Sequence, residues 1–256
     1  MDKKINLADL KQKYRDAGID IGLESKESTL VLDGYAKGDM FDYEKYVDYQ
    51  TRQNKRKLEN LGPDLSHKED FLIEFVTKNT TPKFGICHGV RRGTENNSLS
   101  KGLGVPVIGT EISDTATQFE NVIQWDFHDA KEEWLDSASV VYTNSLDHAF
   151  DPIYALGNWM RCVHKKGCVY IRAFGPDCSP TSSKFSKPTL TEWEKGLSLA
   201  DLHGFSVESI EKIIQYLGKQ GVIDINEWTI SLAPPCSAII LFRGKPSDLK
   251  YSWKDR

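Results

Sequence analysis

Residues 142–171 read YTNSLDHAFD followed by PIYALGNWMRCVHKKGCVYI. The segment has the shape of one crossover unit. An apolar strand at 139–142 ends in a polar cluster, and Asp151–Pro152 opens a helix carrying Ile153, Leu156, Trp159, Met160 and Val163 at helical spacing. Lys165, Lys166 and Gly167 are expected to stop that helix before a second apolar strand at 168–171. The polar cluster thereby falls at the carboxyl end of a parallel strand, where open α/β sheets place their ligands.

The same alternation extends to both sides. Upstream, a helix is expected over 70–77, a strand over 83–87, the rest of a helix over 96–102, and strands over 105–111 and 121–124. Downstream, 175–188 is rich in Pro, Ser and Lys and reads as a mobile surface loop. A helix over 206–218 has Ser206 as its N-cap and Val207, Ile210, Ile213, Ile214 and Leu217 on one apolar face. Strands at 227–232 and 237–243, separated by Ala-Pro-Pro-Cys, form an antiparallel hairpin. Strands alternating with helices give an α/β class, a doubly wound, mostly parallel sheet of seven strands closed by that hairpin.

Residues 1–69 read as a helical cap before a catalytic domain spanning 70–256. Within the cap are a helix at 7–16, an apolar run at 29–32 and a longer helix at 43–61 ended by Gly62–Pro63. One face of the longer helix carries Tyr43, Tyr46, Val47, Gln50 and Asn54, a polar-aromatic stripe that either docks the helix or faces a ligand.

Composition narrows the function classes. The chain has 256 residues, enough for one sizeable core with an appended cap. It has no run of about 18 apolar residues, so no membrane span is expected. Its start is too polar for a secretory leader. The 5 cysteines, at 87, 162, 168, 178 and 236, show no metal-binding spacing, which fits reduced thiols in the cytosol and no bound metal. A net charge of −4 argues against broad nucleic-acid affinity without excluding a local basic groove.

Four segments carry the chemistry. CHGVRRG, 87–93, follows the strand at 83–87, and Cys87, Gly89 and Gly93 occupy three positions of an acid-x-Gly-x-Gly-x-Gly template. Cys87 stands where the acid belongs and Arg91 where the middle glycine belongs; Arg91 and Arg92 either pair with a ligand carboxylate or face solvent. Glu111 ends the next strand, placed to accept hydrogen bonds from a ribose diol. In QWDFHD, 124–129, Asp126 can accept from an exocyclic amine and Phe127 can stack on a purine, while His128, a lone His beside an Asp, reads as half of a structural hydrogen-bonding pair and Trp125 as core. In the 142–151 segment, Asn144 can bond a ligand amine or carboxylate. Asp147 and His148 either form a general-base pair or serve the following helix.

Taken in succession, CHGVRRG, VIGTEIS, QWDFHD, VVYTNSLDHAFDP and RCVHKKGCVYI resemble the class I S-adenosylmethionine-dependent methyltransferases, over about residues 70–245. The resemblance implies a Rossmann-like sheet with the C-terminal hairpin, S-adenosyl-L-methionine as cofactor, and methyl transfer to a small-molecule or carbohydrate acceptor. It implies Gly89 and Gly93 beside the methionine, Glu111 on the ribose, Asp126 and Phe127 at the adenine, Asn144 near the methionine end, and Tyr46, Gln50 and Asn54 on a lid. An NAD-dependent oxidoreductase would share the glycine turn and Glu111, but the GxGxxG spacing is absent. A non-catalytic module of the same fold is the other alternative.

Overall fold

The computed structural model describes residues 3–19, 32, 34–60, 69–172, 207–233 and 238–247. Helix α1 (Leu7–Asp16) starts where the Asn6 side chain accepts the amides of Ala8 and Asp9, a side-chain N-cap. A short hairpin, β1 (Ala36–Lys37) and β2 (Met40–Phe41), leads to α2 (Tyr43–Asn60). Then follow α3 (Asp70–Asn79), β3 (Gly85–His88), α4 (Thr94–Leu103), β4 (Val107–Glu111) and β5 (Val122–Gln124). The chain continues through β6 (Ala138–Thr143), α5 (Pro152–Cys162), β7 (Val163–Ile171), α6 (Val207–Lys219), β8 (Trp228–Ala233) and β9 (Ala238–Arg243).

The large sheet runs β5-β4-β3-β6-β7-β9-β8. Its first five strands are parallel, and β9 is antiparallel to both β7 and β8. The chain leaves β3 toward β4 and β5, then returns to β6 on the other side. That reversal opens a crevice at the carboxyl ends of β3, β4 and β6, where His88 pairs with both Thr110 and Thr143. The inserted antiparallel pair distinguishes this order from the usual dinucleotide-binding sheet.

Successive strand residues point to opposite faces, so the sheet carries two cores. Cys87, Val140, Tyr142 and Tyr170 pack with Leu72, Phe75 and Leu99 of α3 and α4. Ile86, Val141, Val169 and Ile171 pack with Ile153, Leu156 and Trp159 of α5 and Ile210, Ile213 and Ile214 of α6. The N-terminal elements join this second core: Phe41 and Tyr46 lie 4.8 and 5.1 Å, ring to ring, from Phe150.

Three details differ from the sequence expectation. Helix α5 ends at Cys162, and Val163 already belongs to β7. Lys165–Gly167 lie inside that strand at a register shift opposite Ala138–Val140, with Lys166 at φ 70°. Lys-Lys-Gly accommodates a β-bulge, where the same residue types also suit a helix end. The crossovers flanking β5 carry only 3-10 turns, Asp114–Gln118 and Glu132–Trp134. The apolar run at 29–32 except Leu32, the Gly62–Pro63 stop, the loop at 175–188 and the Ser206 cap lie outside the described residues. No described helix is long and apolar enough to cross a membrane.

Candidate functional site

The loop after β3 is built on alternating left-handed residues: Gly89, Arg91 and Gly93 have φ of 73°, 48° and 77°. Arg91 thus holds a left-handed backbone of the kind glycine adopts most readily. The amides of Gly89 and Val90 donate to the Thr110 carbonyl at 2.9 and 3.2 Å, folding the loop over the end of β4. A Cβ on Gly89 would lie 2.6 Å from the Ser145 Cβ, and one on Gly93 would lie 2.7 Å from Val122. Both glycines are therefore steric requirements as well as turn residues. Arg92 is not solvent-facing: its guanidinium donates to the Leu58 carbonyl in the last turn of α2.

Glu111 is buried at the end of β4 and ties the strand to this loop. Its Oε2 accepts the Arg91 amide at 3.2 Å and its Oε1 accepts the Ser113 amide at 3.1 Å.

Asp126, expected to accept from an exocyclic amine, is engaged by groups of the protein itself. Its Oδ1 pairs with His128 Nδ1 at 2.6 Å and takes the His128 amide at 3.0 Å; its Oδ2 accepts from Lys3 Nζ at 2.7 Å and Tyr43 Oη at 2.8 Å. Burial alone would raise this carboxyl, but the His128 ring and the Lys3 ammonium hold it far below the usual carboxylate range. Phe127 lies beside it with its ring edge-on to Trp159 at 5.6 Å. Trp125, also expected in the core, is partly buried against it and packs edge-on to Trp134 at 5.7 Å.

On the β6 side, Asn144 donates to Glu95 Oε1 at 3.2 Å and its Oδ1 accepts from Ser145 Oγ at 2.9 Å. His148 closes the short turn Leu146–His148. Its Nε2 stands 3.9 Å from Asp147 Oδ1, beyond hydrogen-bond distance. The same segment is clamped from the N-terminal side. Tyr14 donates to the Phe150 carbonyl, Tyr46 to the His148 carbonyl at 3.0 Å, and Lys13 pairs with Asp151.

These groups converge on one cleft under α2. Tyr46, Gln50 and Asn54 line its roof; Gly89, Glu111, Asp126, Phe127 and His148 line its floor and walls. Cys87, Gly93, Asn144 and Asp147 lie outside its lining. Sequence reasoning missed Gln53, Lys57, Ile112 and Ser145, which also line it. Ser145 lies within the 142–171 segment, and its partner Gly89 was the available signal. Gln50 Nε2 is buried with no hydrogen-bond partner among the described residues. The cleft is narrow, about 70 Å³, against roughly 300–1,000 Å³ for a small-molecule pocket. A wider groove of about 860 Å³, lined by Lys83, Phe84, His164 and Lys165 among others, opens at the opposite, amino ends of the strands. The cleft is the stronger site, because the crevice, the glycine loop and the strand-end acids all meet there.

Among solved structures, the plantazolicin methyltransferase BpumL in complex with SAH aligns over 92% of this chain and 99% of its own, with a TM-score of 0.53 at 14% identity. The same enzyme with SAH and a pentazolic desmethylPZN analog gives 0.52 at 13% identity over 79% of this chain and 98% of its own. Geranyl diphosphate C-methyltransferase from Streptomyces coelicolor A3(2) gives 0.50 at 11% identity over 77% of this chain and 98% of its own. The fold is that of the class I methyltransferases. No family model matches the chain, and no curated protein does.

Proposed function

We propose that this protein transfers a methyl group from S-adenosylmethionine to a small-molecule or carbohydrate acceptor. The observation that carries the reading is the buried Glu111 carboxylate at the end of β4, joined to the glycine-type loop through the Arg91 amide. A ribose diol donates well to a carboxylate so placed. The loop's left-handed backbone and the unpartnered Gln50 Nε2 suit the same ligand. The similar structures are methyltransferases of plantazolicin and of geranyl diphosphate, and all three alignments are to complexes with S-adenosylhomocysteine.

In this reading the loop at 89–93 lies beside the methionine, Glu111 holds the ribose, and Phe127 with Ile112 forms the apolar wall for the adenine. Asp126 orients that wall through Lys3, Tyr43 and His128, since each of its oxygens already accepts two hydrogen bonds, whereas each Glu111 oxygen accepts one. The segment before residue 70 acts as the lid. When bound, S-adenosylmethionine supplies an electrophilic methyl on a sulfonium sulfur. The protein's contribution is to align the acceptor in line with it, an effect worth roughly 7–11 kcal/mol in well-oriented reactions. For a hydroxyl acceptor, His148 at the cleft edge is the group to take the proton, worth about 10²–10⁴-fold. Asp147 stands 3.9 Å from that ring, its carboxylate a neighbouring negative charge. The buried free thiols of Cys87, Cys162 and Cys168 suit a reducing, cytosolic compartment.

Calorimetric titration tests the reading. The folded protein is expected to bind S-adenosylmethionine and S-adenosylhomocysteine but not NAD. Glu111→Gln keeps the side chain's shape but removes its charge, and should weaken binding by about 10- to 100-fold, the range of a charged hydrogen bond. Absence of binding by either sulfur compound would overturn the proposal.

A further inference from the structure

Tyr46, Gln50 and Asn54 repeat at four-residue spacing along the face of α2 that roofs the cleft. The outer two are committed to the protein. Tyr46 donates to the His148 carbonyl at 3.0 Å, and the Asn54 amide oxygen accepts from Thr115 Oγ1 at 3.3 Å. Thr115 Oγ1 also lies 2.9 Å from Ser113 Oγ, and the Ser113 amide donates to Glu111 Oε1 at 3.1 Å. The helix is thus fixed on the β6 side through residue 46 and on the Glu111 side through residue 54, two turns or roughly 12 Å apart. Gln50 lies midway between these anchors.

The Gln50 Nε2 is buried and has no hydrogen-bond partner among the described residues. An unmet buried donor destabilises the fold that carries it, so such a group asks for an explanation in function. The floor opposite sets what a partner must offer. Gly89, Arg91 and Glu111 line the same cleft, which at about 70 Å³ brings roof and floor close together. The Tyr46 phenol registers that closeness: burial raises it, and the charges of Asp126 and Glu111 add to the shift. Each Glu111 oxygen accepts one hydrogen bond from the protein and keeps capacity for another. A donor above and an acceptor below are what a single hydroxyl satisfies, by giving its proton to the carboxylate and a lone pair to the amide.

We propose that Gln50 is the roof's contact with the ligand, its Nε2 donating to the oxygen of a ribose hydroxyl whose proton goes to Glu111. The sugar is then held from both sides, and closure of α2 is coupled to the ligand through a hydrogen bond that the described residues do not supply. The inference deepens the cofactor reading above and rests on it, and the probes keep the two apart.

Calorimetric titrations on the full chain compare wild type, Gln50→Met and Gln50→Glu, with S-adenosylhomocysteine and its 2′-deoxy and 3′-deoxy analogues as probes. Methionine keeps the length of the side chain and removes the donors; glutamate keeps the shape and offers an acceptor instead. Gln50→Met is expected to lose about 3- to 10-fold in S-adenosylhomocysteine affinity, the range of one neutral hydrogen bond, and Gln50→Glu at least as much. For the analogue that lacks the bridging hydroxyl, Gln50→Met should match wild type within about twofold, because both deletions remove the same bond. Denaturant unfolding of ligand-free Gln50→Met should give a midpoint at or above that of wild type, since the thioether asks for no partner. An unchanged S-adenosylhomocysteine affinity in the two variants, equal losses for S-adenosylhomocysteine and both analogues, or a lowered midpoint in Gln50→Met would overturn the assignment, while binding of S-adenosylhomocysteine to wild type keeps the cofactor reading standing. If wild type does not bind S-adenosylhomocysteine, the cofactor reading itself fails and takes the assignment with it.

Discussion

Arg91 holds a left-handed backbone that a β-carbon disfavours by roughly 1–2 kcal/mol, between two glycines, Gly89 and Gly93, in the same region. The neighbouring glycines have less latitude. In Gly89→Ala the new methyl meets Ser145 and the φ of 73° becomes strained, so a loss of about 2–4 kcal/mol in stability is expected by denaturant unfolding. Adding Ser145→Gly should return the part due to the clash and leave about 1 kcal/mol of backbone strain. An additive double variant would show that the two positions are not in contact. Gly89 and Glu111 were readable in the sequence because strand ends announce themselves by local pattern. The environment of Asp126 was not, since its partners Lys3 and Tyr43 lie 123 and 83 positions away.

Helix α2 is fastened to the sheet edge at both ends and in its middle. Tyr46 donates to the His148 carbonyl, the Asn54 amide oxygen accepts from Thr115, and Arg92 reaches back to Leu58. Tyr46→Phe removes one of these part-buried bonds, at a cost of about 0.5–1.5 kcal/mol. Hydrogen exchange should show α2 amides losing protection ahead of β3 and β6. Equal loosening of the sheet would mean that α2 has no independent opening. Helices announced by caps and apolar periodicity, such as α1 and α5, were predictable from the chain. The start of β7 was not, because Lys-Lys-Gly satisfies the chemistry of a helix end and of a bulge equally, and only pairing with β6 selects between them.

The molecule as a whole packs its N-terminal elements and its sheet into one apolar body, which places polar groups far from water. His88 is the clearest case. Its Nδ1 shares a hydrogen bond with Thr110 at 2.8 Å, its ring stacks on Trp159, and burial lowers its pKa from 6.5 to about 3. The unfolded chain takes up this proton near pH 6.5 and the folded protein only near pH 3. Stability present above pH 6.5 therefore drains as pH falls between those values, by up to about 1.4 kcal/mol per pH unit. Asp126 adds a loss of the same sign below its ordinary value of 3.8, since the folded carboxylate resists protonation. His88→Gln should flatten the dependence of stability on pH between about 6.5 and 4, measured by denaturant unfolding across that range; an unaltered slope would assign the acid sensitivity elsewhere. The narrow cleft carries a kinetic meaning. With α2 as the proposed lid, a ligand larger than a few waters is expected to enter only once that roof moves, so its observed association rate should level off at the opening rate as concentration rises. Its apparent affinity should then be reduced by the fraction of molecules that stand open.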